Sequence, residues 1–363
     1  MTASPVPVRP SETLYPVQYL RAAAALVVMF FHVSVLSQET WGLDPQRVDH
    51  VGAAGVDLFF VISGFIMAMI VDRPGRFEGR EFWIRRVARV APAYWVITVF
   101  VFALAALAPS LFHSTTADIL RLLASLFFLP VDLGSGSTTP LLVVGWTLNY
   151  EIFFYAIVAV TAGLFSDRRL LIASGVILGA VLAGIVFDPA HLSLAFYTDT
   201  ILLEFLFGIL IFRTWKETGS EGFSFAPLAV FALGFVLLVV QWERPLVDLR
   251  PLFWGVPAAA VLYGGLGALS FKSPFLARLG DWSYAVYLTH VFVITFYVKF
   301  AIPTAPLNEL PWQVHYMIMT VAAFAVAGVY YTLVERPLSR WTLRRLRSRQ
   351  PGIATPVVTQ PAE

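Results

Sequence analysis

The 363-residue chain has no cysteine and very little charge. Without thiols it cannot form a disulfide framework, a thiolate metal site or a cysteine nucleophile. Only 13% of its residues are charged and 58% are hydrophobic, whereas ordinary soluble domains carry about 25% charged residues. A soluble fold of this length cannot bury so much apolar surface. The composition therefore indicates a polytopic membrane protein, and a formal net charge of +2 gives no reason to expect a nucleic-acid partner.

Ten apolar segments are long enough to cross a hydrocarbon core of about 30 Å as helices. They are residues 15–36, 51–71, 91–111, 141–165, 169–187, 193–212, 225–241, 252–271, 282–302 and 314–334. An eleventh segment, residues 119–130, is too short to cross comfortably and contains Arg121. No internal repeat is evident, so residues 15–334 are predicted to form one membrane domain.

The distribution of arginine and lysine predicts how the short segment behaves. If residues 119–130 crossed the bilayer, the connections around Arg168 and Arg213 would face outward, against the positive-inside rule. If the segment dips in and returns, or lies in the interface, most of the 25 basic residues face the cytoplasm, and Arg250 is among the few left outside. The predicted fold class is therefore all-α, with ten transmembrane helices, one short re-entrant or interfacial helix and both termini cytoplasmic.

The two ends of the chain are polar. Residues 1–14 are rich in proline and lack the pattern of a secretory signal, so we expect a disordered cytoplasmic N-terminus followed by a retained first span. Residues 335–350 are predicted to form a basic interfacial helix that binds anionic lipid headgroups or simply anchors the topology. Residues 351–363 are predicted to be disordered.

The first span contains two ionisable residues, Arg21 and His32. Eleven helical residues turn to within about 20° of three full turns, so both side chains share one face, about 16 Å apart along the axis. An ionisable group at membrane depth costs about 2.5–3.5 kcal/mol on insertion scales, and such groups usually mark function. The structural alternative is an arginine that extends to the interface and a hydrogen-bonded core histidine.

Asp57 in the second span is predicted to lie close to the depth of His32. A carboxylate bonded to one ring nitrogen fixes the tautomer and raises the basicity of the other nitrogen, as in Ser-His-Asp chemistry. The alternative is a polar bond that only pins two helices together, and both interpretations remain open.

Further ionisable residues recur in later spans. Glu151 lies near the predicted midplane, and Glu204 is a third intramembrane carboxylate. Several such groups at one depth in different helices predict a polar cavity. Its candidate lining residues are Tyr150, Tyr284, His290 and Glu204, with Tyr155 as a further candidate. Simple pairing of the carboxylates with Arg21 or Arg121 is the alternative.

Arg85, Arg86 and Arg89 precede the third span in a segment predicted to lie at the cytoplasmic interface. Positions 85 and 89 share one helix face, and guanidinium groups suit phosphate. An anionic co-substrate at the inner membrane surface is one interpretation, and lipid headgroups are the other. The histidines show no metal-ligand spacing, so no metal site is expected.

Six sequence elements, in order, resemble the bacterial acyltransferase 3 family of integral membrane O-acyltransferases over nearly the whole chain. They are Arg21-x10-His32, GVDLFFVISGF, Arg86-x-x-Arg89, WTLNYEIFFY, LGDWSYAVYLTH and VERP. FFVISGFIM and WTLNYEIFFY are most similar to the exopolysaccharide-modifying ExoZ-like branch.

The resemblance implies transfer of an acyl group, usually acetyl, from acyl-CoA to a hydroxyl of a carbohydrate or glycoconjugate. It implies a multi-pass protein of the bacterial inner membrane, with acetyl-CoA as co-substrate and no tightly bound cofactor. In the family the first-helix histidine is regarded as catalytic, which carries over to His32. The paired arginines are associated with activity and donor binding, which carries over to Arg21, Arg86 and Arg89.

A sugar hydroxyl needs a positioned base, and His32 is the candidate, with Asp57 and Glu151 as further catalytic candidates. Direct transfer is preferred because cysteine is absent, while Ser63 and Ser283 remain as less favoured acyl relays. The main alternative function is a transporter or translocase of a glycan or glycolipid, which predicts broken helices in corresponding positions of two halves.

Overall fold

The structure is a computed structural model that describes residues 14–41, 49–73, 75–111, 116–134, 136–165, 168–218, 225–240, 249–304 and 306–348. Within these ranges the chain forms thirteen α-helices and no β-strand. The helices are α1 (Tyr15–Trp41), α2 (Asp49–Val71), α3 (Gly79–Leu107), α4 (Ile119–Leu126), α5 (Trp146–Leu164), α6 (Arg169–Phe187), α7 (Leu192–Tyr197), α8 (Leu203–Thr218), α9 (Phe225–Val240), α10 (Val256–Ala268), α11 (Pro274–Phe296), α12 (Trp312–Tyr330) and α13 (Arg336–Ser348). The predicted disordered ends, apart from residue 14, lie outside the described residues.

Nine helical stretches of the described chain are long and apolar enough to span a membrane. The one remaining predicted span, residues 225–241, corresponds to α9, whose 16 residues are apolar but fewer than in the other spans. Large apolar side chains also cover the outside of the bundle, and Leu107, Leu164 and Phe187 are largely exposed. A surface of this kind suits lipid, because exposure of so much apolar surface to water is unfavourable. The prediction of an all-α polytopic membrane protein is confirmed.

Two helices begin well before the apolar segments that predicted them. α3 begins at Gly79 instead of residue 91, so the arginine-rich segment forms the first turns of a spanning helix. α11 begins at Pro274 instead of residue 282, after Ser273, whose side chain accepts a hydrogen bond from the backbone of Leu276. The predicted starting points are wrong because an apolar segment ends at the first charged residues. The helix continues through them, since arginine and glutamate are good helix formers.

The span predicted at residues 193–212 is a broken helix. α7 ends at Tyr197, and a 3₁₀ turn at Thr200–Leu202 leads into α8. Asp199 accounts for the break, since its carboxylate accepts a hydrogen bond from the backbone N–H of Ile201 at 2.8 Å and caps the second part. The break contacts a π-helical turn, Pro251–Gly255, that leads into α10.

The short apolar segment forms α4, which has eight residues and rises about 12 Å. It is too short to cross the bilayer, in agreement with the predicted re-entrant or interfacial helix. Asp118 caps it by accepting from the backbone N–H of Arg121 at 2.9 Å. Nε1 of Trp95 donates to the carbonyl oxygen of Leu126 at 2.8 Å, which fastens α4 to the side of α3.

α1 and α11 run parallel and pack against each other. Gly280 lies against the backbone of Gln18, and His290 lies beside His32 further along both helices. A Cβ at position 280 would overlap the carbonyl oxygen of Gln18, so this glycine allows the close approach. We call the end at which α1 and α11 begin the arginine end, and the opposite end the histidine end.

Candidate active site

A cavity of about 140 Å³ lies towards the arginine end, between α1, α2, α3, α5 and α11. Its polar lining comprises Arg21, Ser63, Arg86, Arg89, Thr147, Glu151, Tyr155, Ser283, Tyr284 and Tyr287. The structure therefore brings together five of the predicted site residues from four helices: Arg21, Arg86, Arg89, Glu151 and Tyr284.

Arg21 and Arg86 give the cavity positive charge. Nη1 of Arg21 donates to the side-chain oxygen of Gln18 at 3.1 Å, and the amide nitrogen of Gln18 donates to Asp281 at 2.9 Å. Nε of Arg86 is buried without a hydrogen-bond partner among the described residues. Within the same residues neither guanidinium forms a salt bridge. Buried guanidinium groups that lack a protein anion are suited to bind an anionic ligand.

Arg89 differs because it has a buried partner. Its Nη1 donates to Glu335, a fully buried carboxylate at the end of a π-helical turn before α13. The guanidinium carbon lies 6.0 Å from the ring centroid of Tyr284, whose hydroxyl donates to the carbonyl oxygen of Val90 at 2.8 Å. Glu335, to which the VERP element gave no role, thus fixes Arg89 at the cavity wall.

Arg85 lies away from the cavity, in contrast to its prediction as a donor-binding residue beside Arg86 and Arg89. Its Nε donates to Glu81 at 2.7 Å, and its side chain is 51% exposed. The same carboxylate accepts from Arg347 of α13. Positions 86 and 89 are three residues apart and also share a helix face, and this face is the one that packs inward.

Glu151 accepts two hydrogen bonds at the cavity. Oγ of Ser63 donates to Oε1 at 3.3 Å, and Tyr155 donates its hydroxyl to the same oxygen. Tyr155, a further candidate from the sequence, therefore lines the cavity as predicted. Both donors are neutral, so neither compensates the charge of Glu151. Among the described residues none of the three arginines at the cavity forms a salt bridge with it.

His32 lies beyond this cavity, about 16 Å nearer the histidine end than Arg21. Its Nδ1 lies 2.9 Å from the carbonyl oxygen of Val28 and 3.2 Å from Nε2 of His290. The ring centroids of the two histidines are 4.8 Å apart, and we call these residues the histidine pair. Tyr287 lines the cavity and lies one turn before His290, with ring centroids 6.1 Å apart. The cavity therefore leads towards the histidine pair.

The predicted contact between Asp57 and His32 is wrong. Both oxygens of Asp57 accept hydrogen bonds from Arg250, at 3.0 and 2.8 Å. Gly52 of α2 lies against Phe31, so Asp57, five residues further on, lies about 7.5 Å closer to the arginine end. The sequence predicted the depth too coarsely, because the register between α1 and α2 depends on how they pack.

Asp57, Glu204 and Arg250 form a second group, which we call the buried charge cluster. Nε of Arg250 lies 4.0 Å from Oε1 of Glu204, and its guanidinium carbon lies 4.8 Å from the ring centroid of Trp254. Both carboxylates are fully buried. Arg250 was missed because the sequence assigned it only to an outward-facing connection. Basic residues are rare on that side of the predicted topology, and this rarity was the signal that could have singled out Arg250.

Three predicted lining residues do not line the cavity. Tyr150 stacks on Phe196 with ring centroids 3.7 Å apart. Glu204 belongs to the buried charge cluster, and His290 belongs to the histidine pair. In the part of the chain that the structure describes, no group of three or more His, Cys, Asp or Glu side chains is placed to hold a metal ion.

Comparison with known proteins defines the class to which this bundle belongs. The acyltransferase domain family, acyltransferase 3, matches residues 15–332, which include the cavity and the histidine pair. The protein is therefore a membrane acyltransferase. The exopolysaccharide production protein ExoZ of Rhizobium meliloti (strain 1021) is 36% identical over 312 residues, covering 83% of this chain and 92% of that protein. The chain belongs to the acyltransferase 3 family, as the sequence resemblance predicted.

Two more distant relatives are both named as putative O-acetyltransferases. A putative peptidoglycan O-acetyltransferase, YrhL of Bacillus subtilis (strain 168), is 26% identical over 377 residues. A putative O-acetyltransferase of Staphylococcus aureus (strain COL) is 24% identical over 369 residues. Both alignments cover 91% of this chain but only 55% and 58% of the relatives, so the chain spans little more than half of their length. No solved structure matches the chain.

Proposed function

We propose that this acyltransferase moves an acyl group, acetyl in the simplest case, from acyl-CoA to a hydroxyl of a carbohydrate or glycoconjugate in the bacterial inner membrane. The observation that carries the proposal is the cavity in which Arg21, Arg86 and Arg89 face Glu151, with His32 further along the helix face of Arg21. ExoZ is named for exopolysaccharide production and the two other relatives for O-acetyl transfer, which supports a polysaccharide hydroxyl as acceptor. Acyl-CoA acts as a co-substrate, without a tightly bound cofactor.

The arginine end suits the donor. An acyl-CoA carries phosphate groups at one end and its thioester at the end of a slender arm. Arg86 and Arg89 would bind phosphate oxygens, because guanidinium groups form charge-assisted hydrogen bonds with them. A cavity of about 140 Å³ is smaller than the pockets of about 300–1,000 Å³ that hold drug-sized ligands. It would therefore admit the arm, with the phosphates at the arginines of its wall and the nucleotide outside. Under the predicted topology this end faces the cytoplasm, where acyl-CoA is made.

The histidine end suits the acceptor. Nδ1 of His32 lies 2.9 Å from the Val28 carbonyl oxygen, which can only accept, so Nδ1 carries the hydrogen and Nε2 carries the lone pair. Nε2 would take the proton of the acceptor hydroxyl as that oxygen attacks the thioester carbon. A positioned base typically contributes about 10²–10⁴-fold to such a step.

We expect Arg86→Gln to weaken CoA binding by about tenfold or more, because each hydrogen bond to a charged group contributes about 1.5–3 kcal/mol. Arg86 is the informative position, since Arg89→Gln would also leave Glu335 buried without its cation. Calorimetric titration of the purified protein with CoA measures the change. Arg85→Gln is the matched control on the exposed side of the same helix, where a surface pair contributes little. Equal CoA affinity of Arg86→Gln and wild type would assign Arg86 to lipid contact instead.

Deletion of the gene should remove an acyl ester from the surface glycans of the producing bacterium. Mass spectrometry of those glycans detects the loss directly, and a restored wild-type copy should reverse it. Glycans with the same acyl content in the deletion strain would contradict the proposed function.

A glycan translocase is the second candidate, because residues 192–218 contain a broken helix that contacts the turn Pro251–Gly255. Broken helices mark substrate sites in transporters. These two irregular turns lie against each other instead of occupying corresponding positions in two halves. Movement of a labelled glycan across reconstituted vesicles without any acyl-CoA would favour the translocase. Acyl transfer by the detergent-solubilised protein would favour the enzyme.

A further inference from the structure

The last described helix, α13, is fastened along the first turns of α3, which carry two of the cavity arginines. Just before α13 begins, Glu335 accepts from Arg89 at the cavity wall. Towards the other end of α13, Nε of Arg347 donates to Glu81 at 2.9 Å. The contact thus moves from position 89 back to position 81 of α3 as α13 advances, so the two helices are antiparallel.

α13 therefore extends from the cavity wall towards the outside of the bundle at the arginine end. This follows because α3 runs parallel to α11, which begins at that end. The hydroxyl of Tyr284 donates to the carbonyl oxygen of Val90, and further along both helices the rings of Phe292 and Phe100 lie 6.1 Å apart.

Two exposed arginines lie on the face of α13 that borders α3. Arg336 and Arg347 are eleven residues apart, so they point within about 20° of one direction, and Arg340 points about 40° from Arg336. Arg347 binds Glu81, whereas the side chains of Arg336 and Arg340 are exposed. Among the described residues neither of these two forms a salt bridge. Their guanidinium groups are thus accessible to an anionic ligand.

Arg336 also lies close to the arginines of the cavity. It comes directly after the carboxylate that binds Arg89. Its charge acts on Asp281 together with the charges of Arg21 and Arg89. Arg340 lies about 6 Å further out along α13. Basic groups therefore continue from the cavity wall to the outside of the bundle.

We propose that Arg336 and Arg340 bind the 3′-phosphate of the nucleotide of acyl-CoA, outside the cavity. The inference rests on the proposed function, in which acyl-CoA is the donor. The cavity of about 140 Å³ is too small for the nucleotide, which is left at the surface beside Arg86 and Arg89. The 3′-phosphate is a monoester with about 1.5 to 2 negative charges at neutral pH, and adjacent guanidinium groups suit such an anion.

The opposite face of α13 has a different character. Arg345 points about 180° from Arg336, and its guanidinium carbon lies 5.3 Å from the ring centroid of Trp341. The side chain of Trp341 is 56% exposed, and tryptophan beside arginine is typical of a helix surface at the membrane interface. We therefore expect the face of Arg345 to contact lipid, and Arg345 provides a matched control.

The test compares CoA with dephospho-CoA, which lacks only the 3′-phosphate, by calorimetric titration of the full chain in nanodiscs of phosphatidylcholine. Wild-type protein should bind CoA about tenfold more tightly than dephospho-CoA, since each exposed ion pair contributes a factor of up to about five. Arg336→Gln combined with Arg340→Gln should abolish this preference by weakening the binding of CoA and leaving that of dephospho-CoA unchanged.

Two single variants are the controls. Arg345→Gln removes one charge from the opposite face and should keep the preference for CoA. Arg86→Gln should weaken the binding of both compounds alike, because both retain the two phosphates that the cavity arginines would hold.

An unchanged preference in the double variant would overturn the proposal and assign Arg336 and Arg340 to lipid headgroups. Equal binding of the two compounds by the wild type would overturn it as well. Failure of the proposed function looks different, since the wild type would then bind neither compound and both proposals would fall together.

Discussion

His32→Ala is expected to lower the turnover number of acyl transfer by about 10²- to 10⁴-fold, the contribution of a positioned general base. His32 is only half-buried, and its hydrogen bonds are to Val28 of the preceding helical turn and to His290. The substitution therefore removes the proton acceptor without removing a contact on which the bundle depends. Purified protein in lipid nanodiscs, supplied with labelled acetyl-CoA and glycan from the deletion strain, gives the rate.

Three measurements separate a catalytic effect from a structural one. CoA affinity should be unchanged in His32→Ala, because the arginines that would hold the phosphates line the cavity together with Arg21, which lies about 16 Å from His32 along α1. The yield of membrane-inserted protein should also be unchanged. Ser34→Ala is the matched control on α1, since it removes a buried hydroxyl bonded to Tyr316 at 2.8 Å and should retain full turnover. Normal turnover by His32→Ala would remove His32 from the mechanism.

Asp57→Ala is expected to lower the free energy of unfolding by about 3–5 kcal/mol, because it leaves Arg250 without its bidentate partner in a buried site. Asp57 is fully buried and Arg250 is 22% exposed, so water cannot replace the lost partner completely. Equilibrium denaturation of the detergent-solubilised protein measures the change.

Two further variants show whether the effect comes from the ion pair. Asp57→Ala combined with Arg250→Met should recover much of the lost stability, since removal of both charges leaves neither uncompensated. Glu204→Gln should have a much smaller effect, because its nearest oxygen is 4.0 Å from Arg250. A stable Asp57→Ala protein with strongly reduced turnover would instead return Asp57 to the catalytic role that the sequence suggested.

The fold class followed from composition because a membrane leaves few alternatives. Apolar runs of 18 or more residues have to be helices, since lipid offers no hydrogen bonds to the backbone. The same rule misplaced the start of α3, because the charged turn from Gly79 onward is helical without being apolar. It also passed over the break at Asp199, because a capping carboxylate inside an apolar segment hardly changes its hydropathy.

The candidate site was predicted in part. Arg21 and Glu151 were identified as rare charges in apolar segments, and Arg86 and Arg89 as guanidinium groups at the cytoplasmic interface. The structure places all four around one cavity. Arg85 was included with them because spacing along α3 cannot say which face packs inward.

Composition and helical periodicity were enough to predict an all-α membrane protein in which Arg21 and His32 share one face of the first helix. Its motifs also identified the family. The pairing of Asp57 with Arg250 and of His290 with His32 became visible only in the packed bundle. Helical periodicity fixes the direction of a side chain relative to the axis of its own helix. Its partner depends on the rotation and register of the neighbouring helix, which are set by close contacts such as those at Gly52 and Gly280.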